Sequence, residues 1–180
     1  MRILAIDPSL GKIGIAVIAE GRYERSYTFS TDPDQDLATR LKLIGDHFRG
    51  ITDPYDIVVI EQPDVFARRG TFAFKNLASI MLLMTALGTI VASLNDRYKV
   101  FLFLVSEWKG HENKRTTQED ALREAGQKLN THESDATMMG LAYIKRGPLV
   151  MQTREAVKTG EIKLRSGPGK NFLRRRYFRR

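Results

Sequence analysis

Ile57-Val58-Val59-Ile60 is an unbroken run of branched apolar residues, closed by Glu61-Gln62-Pro63. A strand with one wet face alternates apolar with polar residues. Four branched residues in a row therefore predict a strand buried on both faces. Ile3-Leu4-Ala5-Ile6 repeats the pattern and ends at Asp7-Pro8-Ser9. Between them, Gly14 to Ala19 reads as a second strand, joined to the first by a hairpin through Leu10–Lys12, and Arg22 to Phe29 as an edge strand. Leu37, Leu41, Ile44 and Phe48 recur at helical spacing over residues 36–49. Lys99 to Val105 gives a fifth strand. The segment from Ser106 to Thr116 is polar and irregular, a helix starts at Thr117 with a capping-box acid at Asp120, and a last helix runs from His132 to Lys145, stopped by Gly147-Pro148. The order describes a mixed α/β domain over residues 1–149, followed by a basic extension over 150–180.

Asn76 to Asn95 holds no charge for twenty residues, long enough to span a bilayer. Ser79, Thr85, Thr89 and Ser93 interrupt it, so a buried helix is expected, with no membrane partner. The opening run meets Asp7 and is not expected to be a secretory signal. The protein reads as cytoplasmic.

Charge narrows the partner. Lys plus Arg is 29 against 21 acids, and the eight basic residues from Lys163 onward face no acid at all. The body is balanced and the tail carries the surplus, which points to a polyanion, nucleic acid ahead of a membrane surface. Arg174-Arg175-Arg176-Tyr177-Phe178-Arg179-Arg180 interleaves aromatics with arginines, as nucleic-acid-binding arms do. There is no cysteine, which excludes disulfides, a zinc knuckle and a thiol nucleophile.

Asp7 and Glu61 each close an apolar strand. If the strands are parallel neighbours, both carboxylates emerge at one carboxyl edge, where α/β sheets place ligands. In His132-Glu133-Ser134-Asp135-Ala136, His132 and Asp135 share a helical face. Gathered carboxylates repel, and a divalent cation removes that cost, hard oxygen ligands suiting magnesium or manganese. Two such ions roughly 3.5–4 Å apart can activate water and stabilise the leaving oxygen of a phosphodiester. The residues by themselves thus read as a metal-dependent phosphodiesterase acting on nucleic acid.

The run Ile3-Leu4-Ala5-Ile6-Asp7-Pro8-Ser9-Leu10-Gly11, with Gly14-Ile15-Ala16-Val17-Ile18, closely resembles the opening of RuvC-type Holliday junction resolvases. Val59-Ile60-Glu61-Gln62-Pro63 resembles their second motif and Ser134-Asp135-Ala136 their final helix, in order over residues 2–147. The resemblance implies a ribonuclease H-like fold (a mixed five-stranded sheet flanked by helices), a homodimer, and magnesium-dependent paired nicks across a four-way DNA junction. Asp7, Glu61 and Asp135 match the family's metal-binding acids. Where the family commonly has Asp, three residues before Asp135, this chain has His132, whose imidazole can ligate a metal or accept a proton from water and favours manganese. Glu133 competes for that role, its helical phase off by about 100°.

Lys109 and Lys114 match basic positions that approach the scissile strand. The loop after Glu61 resembles the junction-contacting segment, with Phe66, Phe72 and Phe74 as candidate wedges and Arg68 and Arg69 as phosphate contacts. The family's dimer helix falls on residues 72–95. Compact size and the arginine tail resemble phage-encoded members, which would place the protein in host cytoplasm. Two competing readings are a RuvX-like nuclease acting on structured RNA and a non-catalytic module binding branched nucleic acid.

Overall fold

In a computed structural model, which describes residues 1–63, 77–110 and 113–159, five strands form one mixed sheet ordered β3-β2-β1-β4-β5. Strands β1 (Arg2–Asp7), β2 (Lys12–Ala19) and β3 (Arg22–Ser30) are an antiparallel meander; β4 (Ile57–Gln62) and β5 (Val100–Leu104) add in parallel on the other side of β1. The described helices are α1 (Leu37–Arg49), α2 (Leu77–Leu94), the single turn α3 (Val105–Trp108), α4 (Lys114–Ala125) and α5 (Thr131–Lys158).

Strand periodicity divides the core. Leu4, Ile6, Ile13, Ile15, Val17, Val58 and Ile60 pack with Ile44 and Phe48 of α1 and with Ala86, Leu87, Ile90 and Leu94 of α2. The alternate residues face α5, where Phe101 and Phe103 meet the ring of Tyr143 at centroid distances of 5.1 and 6.2 Å. Both faces are therefore covered, as the unbroken run 57–60 requires. A Cβ on Gly140 would stand 2.7 Å from Ile18 Cγ1 and 3.0 Å from Ala5 Cβ, so glycine is what lets α5 lie this close to the sheet.

Three local expectations change. The polar stretch after β5 is not irregular throughout, since Val105–Trp108 forms a helical turn with the Glu107 carboxylate accepting the Leu104 N–H at 3.0 Å. Helix α4 starts earlier than Thr117: Asn113 caps it, its side chain accepting from the Thr116 N–H, and Thr117 is buried with its hydroxyl turned back to the Asn113 carbonyl. Asparagine is among the best N-caps, and it precedes a run of good helix formers.

The last helix does not stop at Gly147-Pro148. It continues to Lys158 with Pro148 inside it. An interior proline forfeits one intrahelical hydrogen bond and costs about 3 kcal/mol, but Leu149, Met151, Gln152, Arg154, Glu155 and Ala156 that follow are favourable helix formers. The chain divides into two compact units after Lys145.

Helix α2 is long and apolar enough to cross a membrane, but its second half builds the core just described. Its first half leaves Leu77, Met81 and Leu82 exposed.

Candidate active site at the carboxyl edge of the sheet

The parallel pairing of β1 with β4 sets Ile6 opposite Ile60, so Asp7 and Glu61 leave the sheet side by side at its carboxyl edge. Both fall on the α5 side by strand alternation. On the other flank of β1, Asp7 is paired with Gly14. A Cβ at Gly14 would collide with the backbone carbonyl of His132, so the missing side chain is the space into which the first turn of α5 descends.

Helix α5 begins with Asn130, whose side chain accepts the Glu133 N–H at 3.0 Å, while the Glu133 carboxylate reaches back to the Asn130 N–H at 3.4 Å. This is a reciprocal capping box. Glu133 also accepts from the Thr28 hydroxyl at 2.9 Å, and Asn130 Nδ2 donates to Thr28 Oγ1 at 2.8 Å. Glu133 is thereby spent on anchoring the helix to β3, and it is His132 that faces the acids, with Nδ1 2.8 Å from Asp7 Oδ2.

Asp135, one turn further along the same face, receives the Lys109 ammonium at 2.7 Å. From the same short turn, the Trp108 indole N–H donates to Glu61 Oε2 at 3.0 Å. Asp7, Glu61, His132, Asp135 and Lys109 thus come together from four elements. Lys114 opens α4, exposed, with its charge felt by His132. Phe66, Arg68, Arg69, Phe72, Phe74, Arg174, Arg175 and Arg176 lie outside the described residues.

Electrostatics follow from burial. Desolvation pushes the Glu61 carboxyl up to about 8, helped by repulsion from Asp7 and Asp135. Asp7 is raised as well, by burial first and against the hydrogen bond from His132. His132 is raised because its ring donates to Asp7. Burial opposes ionisation of these acids together, and the His132 ring and the Lys109 ammonium are the groups that face them. Among the described residues no three His, Asp or Glu side chains already stand in a ligating group. The donor chemistry nevertheless fits a divalent cation: two or three hard carboxylates that resist ionisation together are stabilised by one.

Sequence reasoning misses Trp108, Gly14 and the Asn130–Glu133 cap as parts of this site. Asn130-x-x-Glu133 carries the capping-box spacing and is a readable signal; the indole contact depends on how β5 ends and has no local one.

No protein-family model matches the chain. It aligns with Crossover junction endodeoxyribonuclease RuvC of Bordetella avium (strain 197N) at 40% identity over 100 residues, covering 53% of this chain and 52% of that protein. The corresponding protein of Corynebacterium efficiens aligns at 27% identity over 187 residues, covering 94% of this chain and 80% of the relative. The match thus spans about half the length of the Bordetella relative. Thermus thermophilus RuvC superposes with a TM-score of 0.63 at 18% identity, over 83% of this chain and 97% of that one. T. thermophilus RuvC in complex with Holliday junction substrate gives 0.67 at 17% identity, over 83% and 96%. At such identities superposition speaks for the fold. The chain is thus similar in sequence to RuvC proteins and shares the fold of Thermus thermophilus RuvC, here a mixed five-stranded sheet flanked by helices.

Proposed function

We propose that this chain is a structure-selective DNA endonuclease that resolves four-way (Holliday) junctions by paired symmetric nicks, in a reaction dependent on magnesium or manganese. The observation that carries the reading is the convergence of Asp7, Glu61 and Asp135, with His132, at one sheet edge. Its relatives bear the name crossover junction endodeoxyribonuclease, and one similar structure holds Holliday junction substrate.

Asp7, Glu61, His132 and Asp135 would hold two divalent ions. When bound, such ions supply water activation and charge stabilisation at the leaving oxygen of the phosphodiester. The chain's own groups do the rest. Where its free ring nitrogen is not bound to an ion, His132 instead accepts or returns a proton there, its position fixed by the capped helix start. Lys109, once released from Asp135, and Lys114 at the mouth of the site neutralise the scissile phosphate. Arg68 and Arg69 with Phe66, Phe72 and Phe74 contact the junction, and Arg174, Arg175 and Arg176 of the basic extension over 150–180 add affinity to the nuclease domain over 1–149.

Paired nicks need two sites, and the exposed Leu77, Met81 and Leu82 on α2 give the second copy an apolar surface to dock on. The working unit is then a homodimer through residues 72–95, acting on cytoplasmic DNA.

The test is incubation with an immobile four-way junction labelled on each strand, with duplex as control and magnesium, manganese or EDTA. Metal-dependent symmetric nicks on opposed strands, absent from duplex, are expected. Binding without nicks at any manganese concentration, or cleavage of structured RNA alone, would overturn the reading.

A further inference from the structure

Glu61 has two carboxylate oxygens, and the protein commits one of them. Oε2 accepts the Trp108 indole N–H at 3.0 Å, and Trp108 is only 2% exposed. The donor is rigidly mounted. Glu107 fastens the start of its turn to Leu104 at 3.0 Å, and the Lys109 N–H closes the turn on the Val105 carbonyl at 2.9 Å. The Lys109 ammonium lies 5.2 Å from the Trp108 ring centroid on its way to Asp135, so the two side chains brace each other.

We propose that Trp108 is a positioning residue for cation binding, its indole N–H holding Glu61 Oε2 so that the other carboxylate oxygen is presented to the cation. The inference rests on the metal-dependent reading of this site. An indole N–H suits the task because it is donor-only and does not titrate at accessible pH. It favours the ionised carboxylate over the neutral acid, and it removes rotational freedom from a group that must otherwise be ordered when a cation arrives. The competing explanation is that a buried indole needs some acceptor and Glu61 happens to be near. That explanation makes Trp108 a packing residue, with no consequence for cation affinity.

Trp108 is the one tryptophan in the chain, so biosynthetic replacement of tryptophan changes this position alone. Substituting β-(3-benzothienyl)alanine exchanges the N–H for sulfur at nearly constant shape. Trp108→Phe serves as a second donor-free variant should the analogue fold poorly. Manganese binding by the full-length chain is read directly from the free-ion electron paramagnetic resonance signal, with unfolding followed separately in EDTA.

The expected result is a roughly tenfold weaker manganese affinity in both donor-free proteins, the scale of removing one charge-assisted hydrogen bond, with metal-free unfolding of the analogue protein near wild type. Manganese affinity within twofold of wild type would overturn the positioning role while leaving the metal reading intact. A wild-type chain that binds no manganese would overturn the metal reading, and the inference with it.

Discussion

Lys109 Nζ stands 2.7 Å from Asp135 Oδ1, and both side chains are largely removed from solvent, at 16% and 18% exposure. A lysine thus supplies the positive charge that the acidic site needs when no cation is present. Any cation that engages Asp135 competes with it. Lys109→Met is expected to tighten manganese binding about tenfold, since a buried charge pair no longer has to be broken, and to slow junction cleavage at saturating metal. A metal titration of the thermal unfolding temperature checks the first effect; equal or weaker manganese binding contradicts it.

Asp7→Asn keeps the size and the hydrogen bond to His132 but removes a charge from the buried edge. Cleavage should fall by roughly a thousandfold or more while junction binding is retained, because the basic groups proposed to contact phosphate are untouched. Gel-shift and nicking assays on one preparation separate the two effects. Cleavage at wild-type rate would remove Asp7 from the site.

Glu61 ties stability to pH in the metal-free protein. Its folded-state pKa of about 8 exceeds the ordinary 4.5, so the native state holds that proton more tightly than the unfolded chain does. Its contribution is complete below pH 4.5 and is lost as pH rises toward 8. Glu61→Gln, which cannot ionise, should be more stable than wild type in EDTA at pH 7.5, by on the order of 2 kcal/mol, with the gap closing at pH 4.5. Urea unfolding at the two pH values measures it, and a gap that does not change with pH would refute it.

Gly14→Ala places a methyl group against the His132 carbonyl, and backbone cannot yield as a side-chain tip can. The helix start must shift or lift. A destabilisation of about 2–4 kcal/mol is expected, and the hydrogen bond between Asp7 and His132 should break. The companion change Gly21→Ala is a useful contrast. Its Cβ meets nothing within 4 Å, but the residue sits at φ +79°, so it costs about 1 kcal/mol from backbone strain alone, far from the site. Melting curves with the His132 ring resonances distinguish the two.

Removing residues 163–180 deletes eight positive charges and no negative ones. Junction affinity should fall and its salt dependence flatten, by about 0.9 in log–log slope for each phosphate that the tail no longer neutralises. Chemistry on bound junction should be unchanged. Fluorescence anisotropy from about 50 to 200 mM salt checks the slope, and an unaltered slope removes the tail from the interface.

What can be read without coordinates follows from how local each signal is. The unbroken branched run 57–60 announces a doubly covered strand, and its terminal acid lands beside that of the apolar run 3–6 because parallel pairing puts equivalent ends together. His132 and Asp135 are legible as one face from spacing three alone. Sequence leaves Glu133 open; in the structure its carboxylate accepts from Thr28, a residue 105 positions away, a contact that no periodicity anticipates. The same holds for Trp108 and Glu61, 47 residues apart and joined by where β5 turns into α3. Proline at 148 is the opposite failure, a strong local signal outweighed by the helix-forming residues after it.

Asp7 and His132 are separated by 125 residues, so the pair exists only after nearly all of the first compact unit has been made. During synthesis the acids of β1 and β4 emerge early and wait, lacking the helix that completes them. A nascent or truncated chain ending before Thr131 therefore has Asp7 and Glu61 but neither His132 nor Asp135 from α5. Placing half of the constellation on the last helix of the unit makes its assembly a late event along the chain.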